Sequence, residues 1–122
     1  MNAIANARKN IDDIYNEVKY WTIENLDYKD LIKQYDSEDS FFYLEAPYYK
    51  IKFYRHNFTE NNFYELKETL NDIHGKYLLS INSNDFILDL FGEPGMKIEM
   101  KNNSVNNKYI KDSKRYELFY FN

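Results

Sequence analysis

The nonapeptide Phe41-Phe42-Tyr43-Leu44-Glu45-Ala46-Pro47-Tyr48-Tyr49 joins an unbroken apolar run to a proline-containing turn. The polar segment Asp36-Ser37-Glu38-Asp39-Ser40 bounds it on the other side. A short apolar run between turn signals predicts a strand buried on both faces, as in a parallel sheet. The neighbouring patterns extend the reading. Thr59 stands as an N-cap before Phe63, Leu66, Leu70 and Ile73, a stripe at helical spacing, with Gly75 at the expected left-handed C-terminal cap. Tyr77 to Ile81 repeats the buried-strand pattern, and Asn82-Ser83-Asn84 caps a short helix through Phe91, stopped at Gly92.

Further out, residues 2–19 carry Ile4, Ile11, Ile14 or Tyr15, and Val18 at amphipathic helical spacing. Tyr20 to Glu24 favours a strand, and Asp27 caps a helix over Tyr28 to Tyr35. Met96, Ile98 and Met100 alternate with Lys97, Glu99 and Lys101 as a half-exposed strand. The polar loop Asn102 to Asn107 leads toward a closing strand, Tyr116 to Phe121. This order predicts one α/β domain over residues 1–122, with about five strands in a mixed sheet. Helices are expected on both faces and an antiparallel pair at the C-terminal end.

Composition narrows the function. The chain has 122 residues, with 13 Tyr, 9 Phe and 1 Trp but only 3 Gly, 2 Pro and no Cys. No glycine loop able to cradle a phosphate is present, and thiol chemistry is excluded. The aromatic content argues for a packed core and against disorder. Sixteen basic against 20 acidic residues leave a formal charge of −4, so no long-range field draws nucleic acid to the chain. The N-terminal residues form no apolar leader, and no apolar run is long enough to span a bilayer, which predicts a cytoplasmic protein without membrane attachment.

In an open α/β sheet, ligands bind beyond the carboxyl ends of the strands. Two loops meet that condition, Glu45 to Tyr49 and Asn82 to Asp85. Beside the first, Lys50, Lys52, Arg55 and His56 interleave with Tyr49, Phe53 and Tyr54. Such a basic and aromatic cluster suits phosphate contact and base stacking, and equally a solvated loop. His56 and His74 lack metal-ligand spacing, so no metal site is expected.

The segment Phe41 to Tyr49 resembles the catalytic segment of the Dam-like, class alpha DNA adenine methyltransferases, in which a hydrophobic strand runs into Asp-Pro-Pro-Tyr. Thr22-Ile23-Glu24-Asn25-Leu26-Asp27-Tyr28, Leu31-Ile32 and Tyr35-Asp36-Ser37 resemble the family's strand, helix and turn ahead of it. Tyr54-Arg55-His56-Asn57-Phe58-Thr59-Glu60, Gly75 to Asn82 and Tyr116 to Asn122 resemble the loop, next strand and closing strand after it. The resemblance covers roughly residues 20–122 and implies a partial Rossmann-like methyltransferase sheet. It assigns Glu45 and the Ala46 carbonyl as acceptors for the amine of a flipped adenine, Tyr48 as its stacking ring, and Pro47 as the stiffener of the turn. Asp27 matches an acidic residue on the cofactor's adenine side, beside its reading as a helix cap.

Two of the four motif residues depart from the family pattern. Glu45 replaces Asp and extends the carboxylate by on the order of 1 Å, a displacement that can cost about 100-fold in rate. Ala46 replaces the first Pro and loosens the backbone that aims the carbonyl. The family's glycine-containing cofactor loop and target-recognition region are expected ahead of the matched stretch. The sequence therefore predicts a non-catalytic derivative of an S-adenosylmethionine-dependent DNA adenine methyltransferase that acts by binding. One concrete form is a phage or mobile-element inhibitor of a host defence nuclease, an anti-CRISPR or anti-restriction protein. The alternative is one half of a split site-specific methyltransferase, active only with a partner supplying the cofactor loop.

No cofactor is expected for the chain by itself; S-adenosylmethionine would enter only with such a partner. Partners are a protein, a second copy joined through the sheet edge near Phe41–Leu44, or DNA. An exposed edge at that apolar strand is a liability. Either Thr22–Glu24 pairs with it or a partner chain covers it.

Overall fold

The computed structural model describes residues 3–50, 57–100 and 115–122. The protein is α/β, with four helices and a mixed four-stranded sheet. It divides into two compact units, Met1–Leu31 and Ile32–Asn122.

The first unit holds helix α1, Ala3–Val18, and the first turns of α2, Tyr28–Tyr35. Ile11, Ile14 and Tyr15 of the expected amphipathic stripe are exposed. The strand expected at Tyr20–Glu24 is absent, and the chain there is irregular with Tyr20, Trp21 and Ile23 exposed. Aromatic and β-branched residues favour a strand only where a neighbouring strand and a covered face receive them. Asp27 caps α2: its Oδ1 accepts from the Lys29 N–H at 3.0 Å, and its carbonyl accepts from Leu31 at 3.0 Å.

In the second unit, strand β1, Phe41–Glu45, pairs in parallel with β2, Lys76–Asn82. Helix α3, Glu60–Asn71, connects them. Helix α4, Asp85–Phe91, follows β2, and strands β3, Met96–Met100, and β4, Arg115–Phe121, complete the order β1-β2-β4-β3. The closing strand β4 runs antiparallel to both its neighbours. The antiparallel C-terminal pair is therefore present, in a sheet of four strands where five were expected.

The caps explain the helix starts. Thr59 and Asn62 form a reciprocal capping box at α3, and Asn84 Oδ1 accepts from the Ile87 N–H at 3.0 Å at α4. Gly92 ends α4 with φ +80°, donating to the Leu88 carbonyl at 2.8 Å. Gly75 differs from expectation. Helix α3 ends at Asn71 with Asp72 as its cap, and Gly75 lies outside the left-handed region. Its small size is what matters: a Cβ there would stand 2.5 Å from the Ser40 carbonyl oxygen and 2.6 Å from that of Ser37.

Asp36 locks the same corner. Its carboxylate accepts from the Gly75 N–H at 3.0 Å and the His74 N–H at 2.9 Å, and meets His74 Nδ1 at 2.8 Å. These backbone donations, followed by the side-chain bond and charge of His74, hold the Asp36 carboxyl below the usual carboxylate range against the opposing effect of desolvation. A depressed folded pKa adds stability above the unfolded value that disappears as pH falls through the folded one. The stability gap between the natural protein and Asp36→Asn is thus present wherever the carboxyl is ionised. It closes as pH drops from about 4 downward, which urea titrations at several pH values measure. A gap that stays constant across that window would show the charge to be irrelevant.

The core lies on one side of the sheet. Leu79, Ile81 and Leu118 point to the face that also carries Tyr120, whose ring meets Phe91 of α4 at 5.3 Å and whose hydroxyl donates to the Gly92 carbonyl. Phe63, Leu66 and Leu70 of α3 and Ile87 and Leu90 of α4 complete this layer. Strand register puts Phe41, Tyr43, Leu78, Phe119, Phe121, Met96, Ile98 and Met100 on the other face.

Two expectations change as a result. Strand β1 buries Phe42 but exposes Phe41 and Tyr43, so it is covered on one face only. Helices α3 and α4 share the Leu79 face, with Phe91 of α4 against Tyr120 and Lys67 of α3 donating to the Leu90 carbonyl. Strand β3 is exposed at all five residues, as an edge strand whose alternating pattern found no cover. Among the described residues β1 is the other edge, and Thr22–Glu24 is not a strand beside it.

Candidate functional site

The site is built at the carboxyl ends of β1 and β2. The Ala46 N–H donates to the Ser80 carbonyl at 3.2 Å, carrying the parallel pairing one residue beyond Glu45. The chain then turns at Pro47, and three side chains from other elements hold it. The Tyr48 hydroxyl donates to Glu117 Oε2 at 2.8 Å, the Tyr49 N–H donates to Asn82 Oδ1 at 2.9 Å, and the Tyr49 hydroxyl donates to Glu60.

Glu117, from β4, is a buried carboxylate that also accepts from Ser80 Oγ at 2.5 Å. Two hydroxyl donors compensate its removal from water, as a buried charge requires. Tyr49 stacks on Phe86 with ring centres 4.6 Å apart, and meets Phe63 edge-on at 5.8 Å. Its hydrogen bond to Glu60, reinforced by desolvation and the Glu60 charge, pushes its phenol pKa up. Lys50 follows with φ +61°, the one positive φ of a non-glycine residue among those described, and its Nζ lies 5.0 Å from the Tyr49 ring centre. Backbone held in this region concentrates at functional loops.

The sequence-derived candidates divide clearly. Glu45 is exposed at the end of β1, Ala46 is buried, Pro47 is half-buried and Tyr48 is exposed at its rim, so one turn presents all four. Lys50 is exposed beside them, while Lys52, Arg55 and His56 lie outside the described residues. Asp27 acts as the α2 cap. His74 serves the Asp36 clamp, and among the described residues no cluster of three or more His, Asp or Glu side chains is placed to hold a metal ion.

Asn82 joins the two loops singled out in the sequence, so they form one site. Glu117 and Ser80 are not among the candidates named from the sequence, though a lone carboxylate inside Tyr116-Glu117-Leu118-Phe119-Tyr120-Phe121 is a legible signal. A charge in an apolar strand needs a partner, and only the register shows which.

Comparison of the chain with protein-family models, curated proteins and solved structures finds no match in any of the three. No described helix is long and apolar enough to cross a membrane. Chemically, the turn offers an exposed carboxylate, a stiffened backbone and a tyrosine whose hydroxyl is already engaged by Glu117.

Proposed function

We propose that the protein is a non-catalytic derivative of a DNA adenine methyltransferase of the Dam-like class that now works by binding a protein partner. An inhibitor of a host defence nuclease, carried by a phage or mobile element, is the concrete form. The observation that carries this reading is the turn after β1, where the exposed Glu45 stands for the family's Asp and the buried Ala46 for its first Pro. From β1 onward, strand, helix, parallel strand and reversed closing strand follow the order that the resemblance implies, while the leading strand it implies at Thr22–Glu24 is absent.

Calorimetry with S-adenosylmethionine tests the loss of cofactor chemistry. The isolated chain is expected to give no binding heat, and saturable binding would overturn the reading. Pull-down from a host lysate is expected to recover one protein at near-stoichiometric amount, and its absence counts against the binding role.

A second reading, one half of a split methyltransferase, draws on β1, which pairs only with β2 among the described residues. A partner supplying the next strand and the cofactor loop would complete the sheet. Transfer of a labelled methyl group to adenine in DNA by the mixed pair would establish it, and its absence with a matched partner would remove it.

A further inference from the structure

We infer that the sheet face opposite α3 and α4 is a self-association surface that takes the same face of a second copy of this chain. The face runs diagonally across all four strands, through Phe41 and Tyr43 of β1, Leu78, Phe121 and Phe119, to Met96, Ile98 and Met100 of β3. Phe41, Tyr43, Phe121, Met96, Ile98 and Met100 are between 45% and 64% exposed. Taking about 200 Å² for a large side chain in the open, these six residues present roughly 650 Å² of apolar surface.

That area stands at the upper end of what a soluble monomer leaves in one patch, where such patches are often functional. With the rim contributed by Tyr48, it approaches the roughly 800 Å² that each partner brings to a stable interface. The residue types agree, since aromatic residues and Met are enriched, and charges depleted, at the centre of interfaces. The charges on this face stand outside the apolar stripe. Register places the exposed Glu45 beside it and Lys76 and Arg115 at its two ends, while Glu117 on the same face is buried with its Tyr48 and Ser80 donors. Both signs are present, so two copies meeting on this face face no uniform repulsion despite the chain's −4. Two sheets packed face to face leave about 10 Å between backbones, the depth that interdigitated Phe, Met and Ile side chains fill.

This surface does not depend on the methyltransferase reading. Strands about 4.8 Å apart place β1 and β3 roughly 14 Å from each other across the sheet. Substitutions in the two strands therefore sample separate parts of the face.

Sedimentation equilibrium of the full chain at micromolar concentration is expected to give twice the monomer mass. Tyr43→Lys in β1 and Ile98→Lys in β3 are each expected to raise the dimer dissociation constant by about tenfold or more. Both positions are exposed, so circular dichroism should stay unchanged. Glu68→Lys on the exposed side of α3 should leave the dimer intact. A monomer at every concentration overturns the proposal. Loss with Tyr43→Lys but not Ile98→Lys would assign the dimer to the β1 edge, and loss with Glu68→Lys alone would assign it to the α3 face. Either result overturns the sheet-face assignment.

Discussion

Phe63→Ala is expected to destabilise the 32–122 unit by about 3–5 kcal/mol, the range for truncating a fully buried aromatic side chain. Phe63 has no exposed surface, and its ring is the post around which the candidate site is assembled. Phe58 meets it edge-on at 5.3 Å, Tyr49 at 5.8 Å and Phe86 at 6.0 Å. Removing the ring leaves a cavity bordered by α4 and the turn after β1, and backbone on both sides is pinned by hydrogen bonds that resist collapse. The loss is a large part of the roughly 5–15 kcal/mol that stabilises an ordinary domain. Urea unfolding followed by circular dichroism measures it, with Phe63→Leu expected between the natural protein and the alanine variant. A loss below about 1 kcal/mol would show that this cluster is not the core of the unit.

Glu117→Ala should cost about 2–4 kcal/mol, because it deprives two donors of a charged acceptor, one of them the buried Ser80 hydroxyl. Glu117→Gln keeps the shape and an acceptor, and should cost less. Tyr48→Phe removes only the outer bond of the pair, so it should be the mildest of the three. The double variant Tyr48→Phe with Glu117→Ala is expected to be less destabilised than the sum of the two single changes, by about 0.5–3 kcal/mol. Additive effects would show that the hydroxyl and carboxylate are not coupled and that Tyr48 is free to move.

Local chemistry was largely legible. Asp27, Thr59 and Asn84 cap helices where their side chains and the following apolar spacing placed them, since a cap needs only neighbours within a turn. The parallel pairing of Phe41–Glu45 with the strand at Tyr77 followed from apolar runs separated by a helix. The two loops at the carboxyl ends were found for the same reason. Gly75 was misread because its requirement comes from Ser37 and Ser40, a region more than thirty residues away in the chain. The partner of Glu117 was invisible for the same reason, lying 37 residues away at Ser80 and 69 at Tyr48.

The amino-acid sequence by itself determined an α/β chain with aromatic-rich strands, its capped helix starts and the turn that carries Glu45 to Tyr48. Those features depend on propensity, periodicity and capping, which act over a few residues. Which strand faces are covered was settled only by the tertiary structure. Phe41 and Tyr43 belong to as apolar a run as any in the chain, and Met96, Ile98 and Met100 alternate as cleanly as a half-buried strand should. Both sets stay exposed because α3 and α4 lie on the same side of the sheet. Burial is a property of what packs against a face, and no pattern within a strand specifies its neighbour.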